Sequence, residues 1–264
     1  MKLVDPYESA PLRLGFYSLP GAGKTTLAGS FAADPRTSPV LFIDFNGNTQ
    51  VLSQLGLDYG EEFAILRLDD PNELNAIYVS LRSQQKVGVL KELPMFKTLV
   101  IDCVTDMQRM VFAEEGGYAD PNTLYVKPPK RTYGNFQVAG DVMMNLAESL
   151  TWLPQHVVLT FWAKKSELQV QEGAQWVTRI EYELGLDGRA RNDLPGYLQS
   201  VGFLDRNPNW SNERPTAQHY NTLSFRFARD QYAKETLGFK ATYKNPTAKD
   251  LLDSINYQKE NHNG

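Results

Sequence analysis

The stretch that decides the fold is SLPGAGKTT, from Ser18 to Thr26. It follows residues 12–17 (LRLGFY), which predict a short strand, and it opens residues 24–33, which predict a helix ended by Asp34-Pro35. A phosphate-binding P-loop has the pattern Gly, four residues, Gly-Lys-Ser/Thr between a strand and a helix. The stretch therefore predicts a P-loop, in which Ser18 replaces the first glycine.

The remaining residues of the loop have the chemistry that a nucleotide needs. Two glycines let the backbone turn its N–H groups toward a phosphate, and the following helix directs its positive end at the same anion. We expect Lys24 to reach the β- and γ-phosphates of ATP and the Thr25 hydroxyl to ligate Mg²⁺. The alternative is a glycine-rich turn that only joins a strand to a helix. The predicted nucleotide-binding residues are Ser18, Pro20, Gly21, Ala22, Gly23, Lys24, Thr25 and Thr26.

Two apolar runs end in an acid, VLFID at residues 40–44 and TLVID at residues 98–102. Such runs are typical of strands buried on both faces of a parallel sheet, and ligands bind beyond the carboxyl ends of those strands. Asp102 is therefore predicted to hold magnesium with Thr25, although strand-ending aspartates are common. Asp44 is either a second acid facing the nucleotide or a cap on the following turn.

The order of predicted elements favours an α/β fold with a mostly parallel sheet flanked by helices. A further strand is predicted at residues 63–68 and another at 156–161, and the predicted helices are residues 71–87, 104–115, 135–152 and 247–256. In the last third, ELQVQ and QWVTRIEYE flank Glu172-Gly173, and SVGFLDR precedes NTLSFRFAR. These pairs predict antiparallel hairpins that extend the sheet at an edge. We expect one domain over residues 1–264.

Composition restricts the class of protein. The chain has 264 residues, a net charge of −4 and one cysteine, so a generally basic surface for nucleic acid and an intrachain disulfide are both excluded. We find neither a signal-peptide pattern nor an apolar run of about 20 residues, the length of a membrane helix. The expected location is the cytoplasm.

With these residues placed, the chain resembles the phage-encoded RecA-like ATPases, the phage nucleotide-binding proteins that include single-strand annealing proteins. The resemblance covers about residues 10–255 and depends on the order of its segments. These are FYSLPGAGKTTLA, PVLFIDFNGNT, FKTLVIDCVTDM, YGNFQVAGDVMMNLAESL, HVVLTFWAKK, LDGRARNDLPGYLQSVGFL and YAKETLGFKA.

The resemblance implies a RecA-like P-loop core that acts on single-stranded DNA during phage recombination, as a homo-oligomeric ring or filament in the host cytoplasm. Lys24, Thr25 and Asp102 match the family's nucleotide and magnesium positions. A single-strand-binding protein is a further partner that the function suggests.

Three positions depart from the family pattern. Asn46 stands where the family has the glutamate that primes the attacking water, and Trp162 stands where it has a polar residue after a strand. The late segment of the family that reaches a neighbouring subunit lacks its arginine here and leaves Lys234 as the candidate. The predicted catalytic residues are Lys24, Asp44, Asn46 and Asp102, with slow hydrolysis expected because Asn46 is a very poor base.

Two basic segments are candidates for contact with single-stranded DNA, because cations neutralise phosphates and aromatic rings stack on unpaired bases. The first contains Lys127, Lys130 and Arg131, with Tyr125 and Tyr133 nearby; the second contains Lys164 and Lys165 and leads into the hairpin with Trp176 and Arg179. The alternative is that the lysines are solvated surface and that Trp176 packs under the hairpin.

Arg189 and Arg191 are either fingers for a neighbouring subunit's γ-phosphate or partners of Asp187 and Asp193 in salt bridges. The three histidines have no metal-ligand spacing, and Cys103 is predicted to be a core residue.

Three functions therefore compete. The first is a DNA-dependent ATPase that anneals or recombines single strands. The second is a nucleotide-gated interaction module with little turnover, which recruits a single-strand-binding or replication partner. The third is a small-molecule kinase, although the sequence predicts sheet extensions where a kinase needs a helical lid.

Overall fold

The computed structural model describes residues 10–68, 73–84, 90–91, 94–115, 133–173, 175–211, 214–226 and 231–262. The strands in these residues form one sheet, and the order of the main path is β3-β2-β4-β5-β1-β7-β8-β9. The strands are β1 (Arg13–Ser18), β2 (Val40–Asp44), β3 (Phe63–Arg67), β4 (Thr98–Asp102), β5 (His156–Glu172), β6 (Gln175–Leu184), β7 (Ser200–Ser211), β8 (Arg214–Ser224) and β9 (Thr242–Lys244).

The sheet is parallel in its first part and antiparallel at one edge. Every pair from β3 to β7 along the main path is parallel, whereas β7 pairs antiparallel with β8 and β8 with β9. The sixth strand, β6, pairs antiparallel with the distal half of β5. The predicted α/β class, mostly parallel with antiparallel hairpins in the last third, is confirmed.

Helices flank the sheet because the crossovers between parallel strands return along its faces. The helices are α1 (Lys24–Gly29), α2 (Glu73–Ser83), α3 (Val104–Glu115), α4 (Tyr133–Thr151), α5 (Arg189–Asp193) and α6 (Ala248–His262). Since successive strand residues point to opposite faces, each strand feeds two cores. Val157 and Leu159 join the core that contains α2, α3 and α4, whereas Val158 joins the core that contains α1 and α6.

All residues of β2 and β4 are buried, as their apolar runs predicted. The two strands are adjacent and in register, so that Asp44 lies opposite Asp102. Ser18, the last residue of β1, lies opposite Trp162 of β5. The P-loop, the two aspartates and Trp162 therefore lie together at the end of the parallel part of the sheet.

The structure corrects three element boundaries and adds one strand. The predicted helix 24–33 is α1 to Gly29, followed by a 3₁₀ turn at Ser30–Ala33. The strand predicted at 156–161 continues to Glu172, because its distal half pairs with β6. The closing helix continues to His262, and β9 was not predicted.

The hairpins differ in where they extend the sheet. The β7–β8–β9 meander widens it at an edge, as predicted. The β5–β6 hairpin does not, because residues 163–172 pair with β6 beyond the residues that pair with β1 and β4. We call this hairpin, residues 163–184, the ribbon. It extends beyond the part of β5 that pairs with β1 and β4, and it begins one residue after Trp162.

Candidate functional site

The P-loop lies between the end of β1 and the start of α1, as the sequence predicted. Gly21 and Gly23 have φ of +78° and +89°, values that favour glycine because a Cβ is strained there. Gly23 is the residue before α1, and its carbonyl accepts the first helical hydrogen bond from Leu27 N–H at 2.9 Å. The backbone thus has the turn that a phosphate cradle needs.

Lys24 lies inside this loop, and the residue that replaces the first glycine holds it there. The Lys24 ammonium donates a hydrogen bond of 2.8 Å to the Ser18 hydroxyl and a longer one of 3.3 Å to the Ser18 carbonyl. Burial lowers the pKa of Lys24, whereas the nearby negative charges, Asp102 and Asp106 among them, raise it. A phosphate that enters the loop would meet a cation already directed into it.

Thr25 and Asp102 form the pair that can hold magnesium. The Thr25 hydroxyl donates to Oδ2 of Asp102 at 2.7 Å, although the two residues are far apart in sequence. The Thr160 hydroxyl donates to the other carboxylate oxygen, Oδ1, at 2.5 Å. Asp102 is 1% exposed, and burial raises its pKa while both hydroxyl hydrogen bonds oppose that shift. Hydroxyl and carboxylate oxygens are the ligands that Mg²⁺ prefers, so the residues present fit this ion.

Asp44 lies opposite Asp102, but its carboxylate is occupied by the following turn. Oδ1 accepts the N–H groups of Asn46 and Gly47 at 3.1 and 2.8 Å, and Oδ2 accepts the Thr49 hydroxyl at 2.8 Å. The side chain is fully buried. This arrangement is the turn cap that the sequence left open as an alternative to a catalytic acid.

Asn46 belongs to the same turn. Its side-chain oxygen accepts the N–H of Asn48 at 2.9 Å, so the carboxamide stabilises the turn in which it lies. The neighbouring Arg67 contacts Asp44 from the end of β3, at 3.4 Å. The role of Asn46 in orienting a water molecule stays a prediction.

Two cations lie near the ring of Trp162, at the point where β5 leaves the parallel sheet. The Lys24 ammonium is 5.9 Å from its ring centroid, and the Arg109 guanidinium carbon is 5.6 Å from it. The indole N–H donates to Asp106 at 3.0 Å. The tryptophan thus contacts Lys24 of the P-loop, and the ribbon begins at the next residue of the same strand.

Several residues of this site escaped the sequence reasoning. Thr160 lies two positions before Trp162 on β5, and Asp106 lies in the first turn of α3, four residues after Asp102. Arg206 of β7 donates to the Gly21 carbonyl at 3.4 Å, and Asn221 of β8 lies beside Gly23. No motif marks these residues, because only strand pairing brings them to the loop.

The ribbon carries the second basic segment and differs from the prediction for it. Lys164 and Lys165 do not follow a strand; they lie within β5, opposite Glu183 and Tyr182 of β6. Both lysines are exposed, and Lys165 pairs with Glu167 at 3.1 Å. Trp176 is 68% exposed, so it does not pack under the hairpin. The ribbon therefore presents an exposed aromatic ring, Trp176, and the charge of its lysines is partly balanced by nearby glutamates.

The finger candidates have partners within the chain. Arg189 pairs with Asp193 at 2.5 Å, and Arg191 pairs with Glu183 at 3.2 Å. Lys234 donates to the carbonyls of Pro195 and Gly196, both at 3.2 Å. These contacts agree with the salt-bridge alternative for the arginines, and action on a neighbouring subunit stays a prediction.

Other predicted residues lie elsewhere. Lys127, Lys130 and Arg131, with Tyr125, lie outside the described residues. Cys103 is fully buried, and burial raises the pKa of its thiol well above the ordinary range. In the part of the chain that the structure describes, no three or more His, Cys, Asp or Glu side chains gather in a way that suits a metal ion.

The chain is similar to one protein family and to solved structures. Residues 10–242 match the family model described as an AAA domain, AAA_24. No curated protein matches the chain. Among solved structures, the crystal structure of the RadB recombinase is similar at 17% identity, covers 81% of this chain and 80% of its own, and has a TM-score of 0.42. No helix within the described ranges combines the length and the apolar character that crossing a membrane requires.

Proposed function

Because the chain belongs to the AAA domain family, we propose that it is an ATPase that binds ATP with Mg²⁺ at Ser18–Thr26 and acts on single-stranded DNA during recombination or annealing. The observation that carries this proposal is the 2.7 Å hydrogen bond between Thr25 and Asp102. It joins the residue that follows the loop lysine to an acid at the end of β4, which is separated from β1 by β5, as a Mg-ATP site needs.

Each P-loop residue then has a role in hydrolysis. The backbone of the loop cradles the phosphates, and Lys24 neutralises charge on the β- and γ-phosphates. Thr25 and Asp102 would hold Mg²⁺, which when bound neutralises the charge that develops on the phosphates. A water molecule attacks the γ-phosphate, and its proton needs an acceptor.

Contact with DNA is proposed for the ribbon. Trp176 offers an exposed ring near the turn of the hairpin, and stacking on aromatic rings holds unpaired bases without regard to sequence. Lys164 and Lys165 contribute charge, partly compensated by Glu183 and Glu167. The loop that contains Lys127, Lys130 and Arg131 is the second proposed contact.

Trp162 connects the nucleotide site to the ribbon, so that a change at one can affect the other. It is in cation–π contact with Lys24 and is followed at once by the ribbon residues of β5. A phosphate that draws the Lys24 ammonium toward itself would change this contact. We therefore expect nucleotide binding to alter how the ribbon is held and so to alter its affinity for DNA.

A nucleotide-gated module with little turnover is the second candidate, and one observation favours it. The carboxylate of Asp44 accepts hydrogen bonds from three groups of its own turn, and Asn46 is engaged in the same turn. Apart from the Arg67 guanidinium at 3.4 Å from Asp44, the hydrogen bonds of both side chains among the described residues go to this turn. Slow hydrolysis with tight nucleotide binding would fit this arrangement.

The test is ATP hydrolysis with and without single-stranded DNA, measured beside DNA binding in the presence of ATP. The ATPase proposal expects turnover that rises when DNA is added. The module expects DNA or partner binding that needs ATP but almost no turnover. If no single-stranded DNA binds, even at low salt with ATP, the annealing function is wrong.

A further inference from the structure

A polar pair approaches the P-loop from the antiparallel edge of the sheet. Arg206 of β7 and Asn221 of β8 are cross-strand neighbours, so their side chains share one face of the sheet. The Arg206 guanidinium lies 3.4 Å from the Gly21 carbonyl. The Asn221 amide nitrogen is so close to Gly23 that a Cβ there would lie 2.9 Å from it.

The backbone around Asn221 is fixed. Its N–H donates to the side-chain oxygen of Asn245 at 2.9 Å, and its carbonyl accepts the N–H of Asn245 at 2.7 Å. Within the described ranges, the Asn221 carboxamide itself has no hydrogen-bond partner. Arg206 is exposed and Asn221 is partly buried, so a bound molecule can reach both side chains.

The strand order decides which end of a nucleotide this pair meets. Asp102, which pairs with Thr25 in the magnesium site, and its partner Thr160 lie on β4 and β5, both on one side of β1. Arg206 and Asn221 lie on β7 and β8, on the opposite side. With the γ-phosphate placed near Asp102, the nucleoside leaves the loop toward β7 and β8.

We propose that Arg206 and Asn221 bind the nucleoside half of ATP, with the guanidinium stacked on the base and the carboxamide at its edge. This inference rests on the proposed nucleotide-binding function. A carboxamide both donates and accepts, and it matches adenine, which presents an N6 amino donor beside the N7 acceptor. Guanine presents two acceptors at the equivalent edge. The planar guanidinium of arginine stacks on rings in a way that the lysine ammonium cannot.

Calorimetry with ATP, GTP and inorganic tripolyphosphate separates the nucleoside from the phosphates. Arg206→Ala and Asn221→Ala are each expected to weaken ATP binding by about tenfold and to leave tripolyphosphate binding unchanged. Arg206→Lys keeps the charge but loses the planar group, so its ATP affinity should resemble that of Arg206→Ala. Asn221→Asp should weaken ATP binding but keep the preference for ATP over GTP, because a carboxylate still accepts from the adenine N6 amino group and meets only acceptors at the same edge of guanine.

The matched control is Arg226→Ala. Arg226 is exposed and follows Asn221 along the chain, at a distance of about 16 Å for an extended rise of about 3.3 Å per residue. This variant should bind all three ligands as the wild type does. Equal losses of ATP and tripolyphosphate affinity in Arg206→Ala would overturn the inference, because the arginine would then serve the phosphates or the loop. Unchanged ATP affinity in both alanine variants would also overturn it and leave the proposed function standing. A wild type that binds no ATP would overturn both.

Discussion

The Thr25 hydroxyl donates a 2.7 Å hydrogen bond to Oδ2 of Asp102, which joins the start of α1 to the end of β4. Asp102 is 1% exposed, and a carboxylate so deeply buried needs partners that compensate for lost hydration. The hydroxyl groups of Thr25 and Thr160 are these partners. A cation that ligates the Thr25 oxygen and the carboxylate would take over this compensation.

The first prediction therefore concerns magnesium. Asp102→Asn removes the charge that holds the ion, so the stimulation of ATP binding or turnover by Mg²⁺ should fall by about tenfold or more. Thr25→Ser keeps the hydroxyl and serves as the control, with near-normal dependence on Mg²⁺. A magnesium titration of Asp102→Asn that matches the wild type would show that Asp102 is not a ligand.

Lys24→Ala should abolish measurable ATP binding and leave the fold intact. The ammonium is expected to contact the phosphates, and within the described ranges its hydrogen bonds go to Ser18 and Leu19 of its own loop, not to the core. Calorimetry should find no binding, whereas the circular dichroism spectrum should be unchanged. Lys97→Ala, at the amino end of β4 and exposed, is the matched control. Micromolar ATP binding by Lys24→Ala would contradict the P-loop assignment.

The third prediction concerns the base for the attacking water. A carboxamide orients water but is a very poor base, so wild-type turnover should be slow with near-normal ATP affinity. Asn46→Glu should raise kcat by about tenfold or more, since a well-placed base contributes about 10²–10⁴. The nucleotide Kd should stay nearly unchanged.

Asp44→Asn tests the rival base. Because Asp44 caps its own turn, this variant should lose stability, and turnover must be compared at a temperature where it is folded. A wild type with brisk turnover, an inactive but folded Asp44→Asn and an Asn46→Glu no faster than wild type would assign the base to Asp44.

We predict that the basic residues and the exposed tryptophan contribute to single-stranded DNA binding in different, measurable ways. Changing Lys127, Lys130 and Arg131 together to Ala should flatten the salt dependence of single-stranded DNA binding, by about 2 in log–log slope if all three meet phosphates. Trp176→Ala should weaken binding by about 1–3 kcal/mol and leave that slope unchanged. Exposed Trp152→Ala is the control for the tryptophan. If the loop variant keeps both affinity and slope, the loop is not a contact.

The last prediction concerns stability at acid pH. His156 accepts the Leu12 N–H at Nδ1, 2.9 Å away, and burial lowers the pKa of its imidazole. A histidine with a lowered pKa in the folded state contributes stability above its ordinary value of about 6.5, and this contribution is lost as the pH falls through the lowered value. The wild type should therefore lose stability on acidification below about pH 6.5.

His156→Asn keeps an acceptor but cannot be protonated in this range. Its melting temperature should fall less than that of the wild type between pH 7.5 and pH 5, values chosen to bracket about 6.5. His219→Asn, on an exposed residue, should follow the wild type. Parallel melting curves for all three proteins would show that His156 does not govern the acid response.

The sequence by itself determined the P-loop and the class of fold. Residues Ser18–Thr26 specify the loop because their glycines, lysine and threonine act within nine successive positions. The runs that end in Asp44 and Asp102 specify buried parallel strands, since continuous apolar residues suit a strand covered on both faces. Local chemistry and short periodicity are sufficient for these conclusions.

Only the tertiary structure decided which side chains meet. Strand order places Thr160 on Asp102 and brings Arg206 to Gly21, and neither contact has a signal at fixed spacing. Hydrogen bonding decided that Asp44 caps its own turn, which the sequence left as one of two alternatives. The pairing of β5 with β6 places Lys164 within a strand, whereas the sequence predicted that it follows one. Such contacts depend on register between distant segments, and a sequence pattern read along one segment does not contain that information.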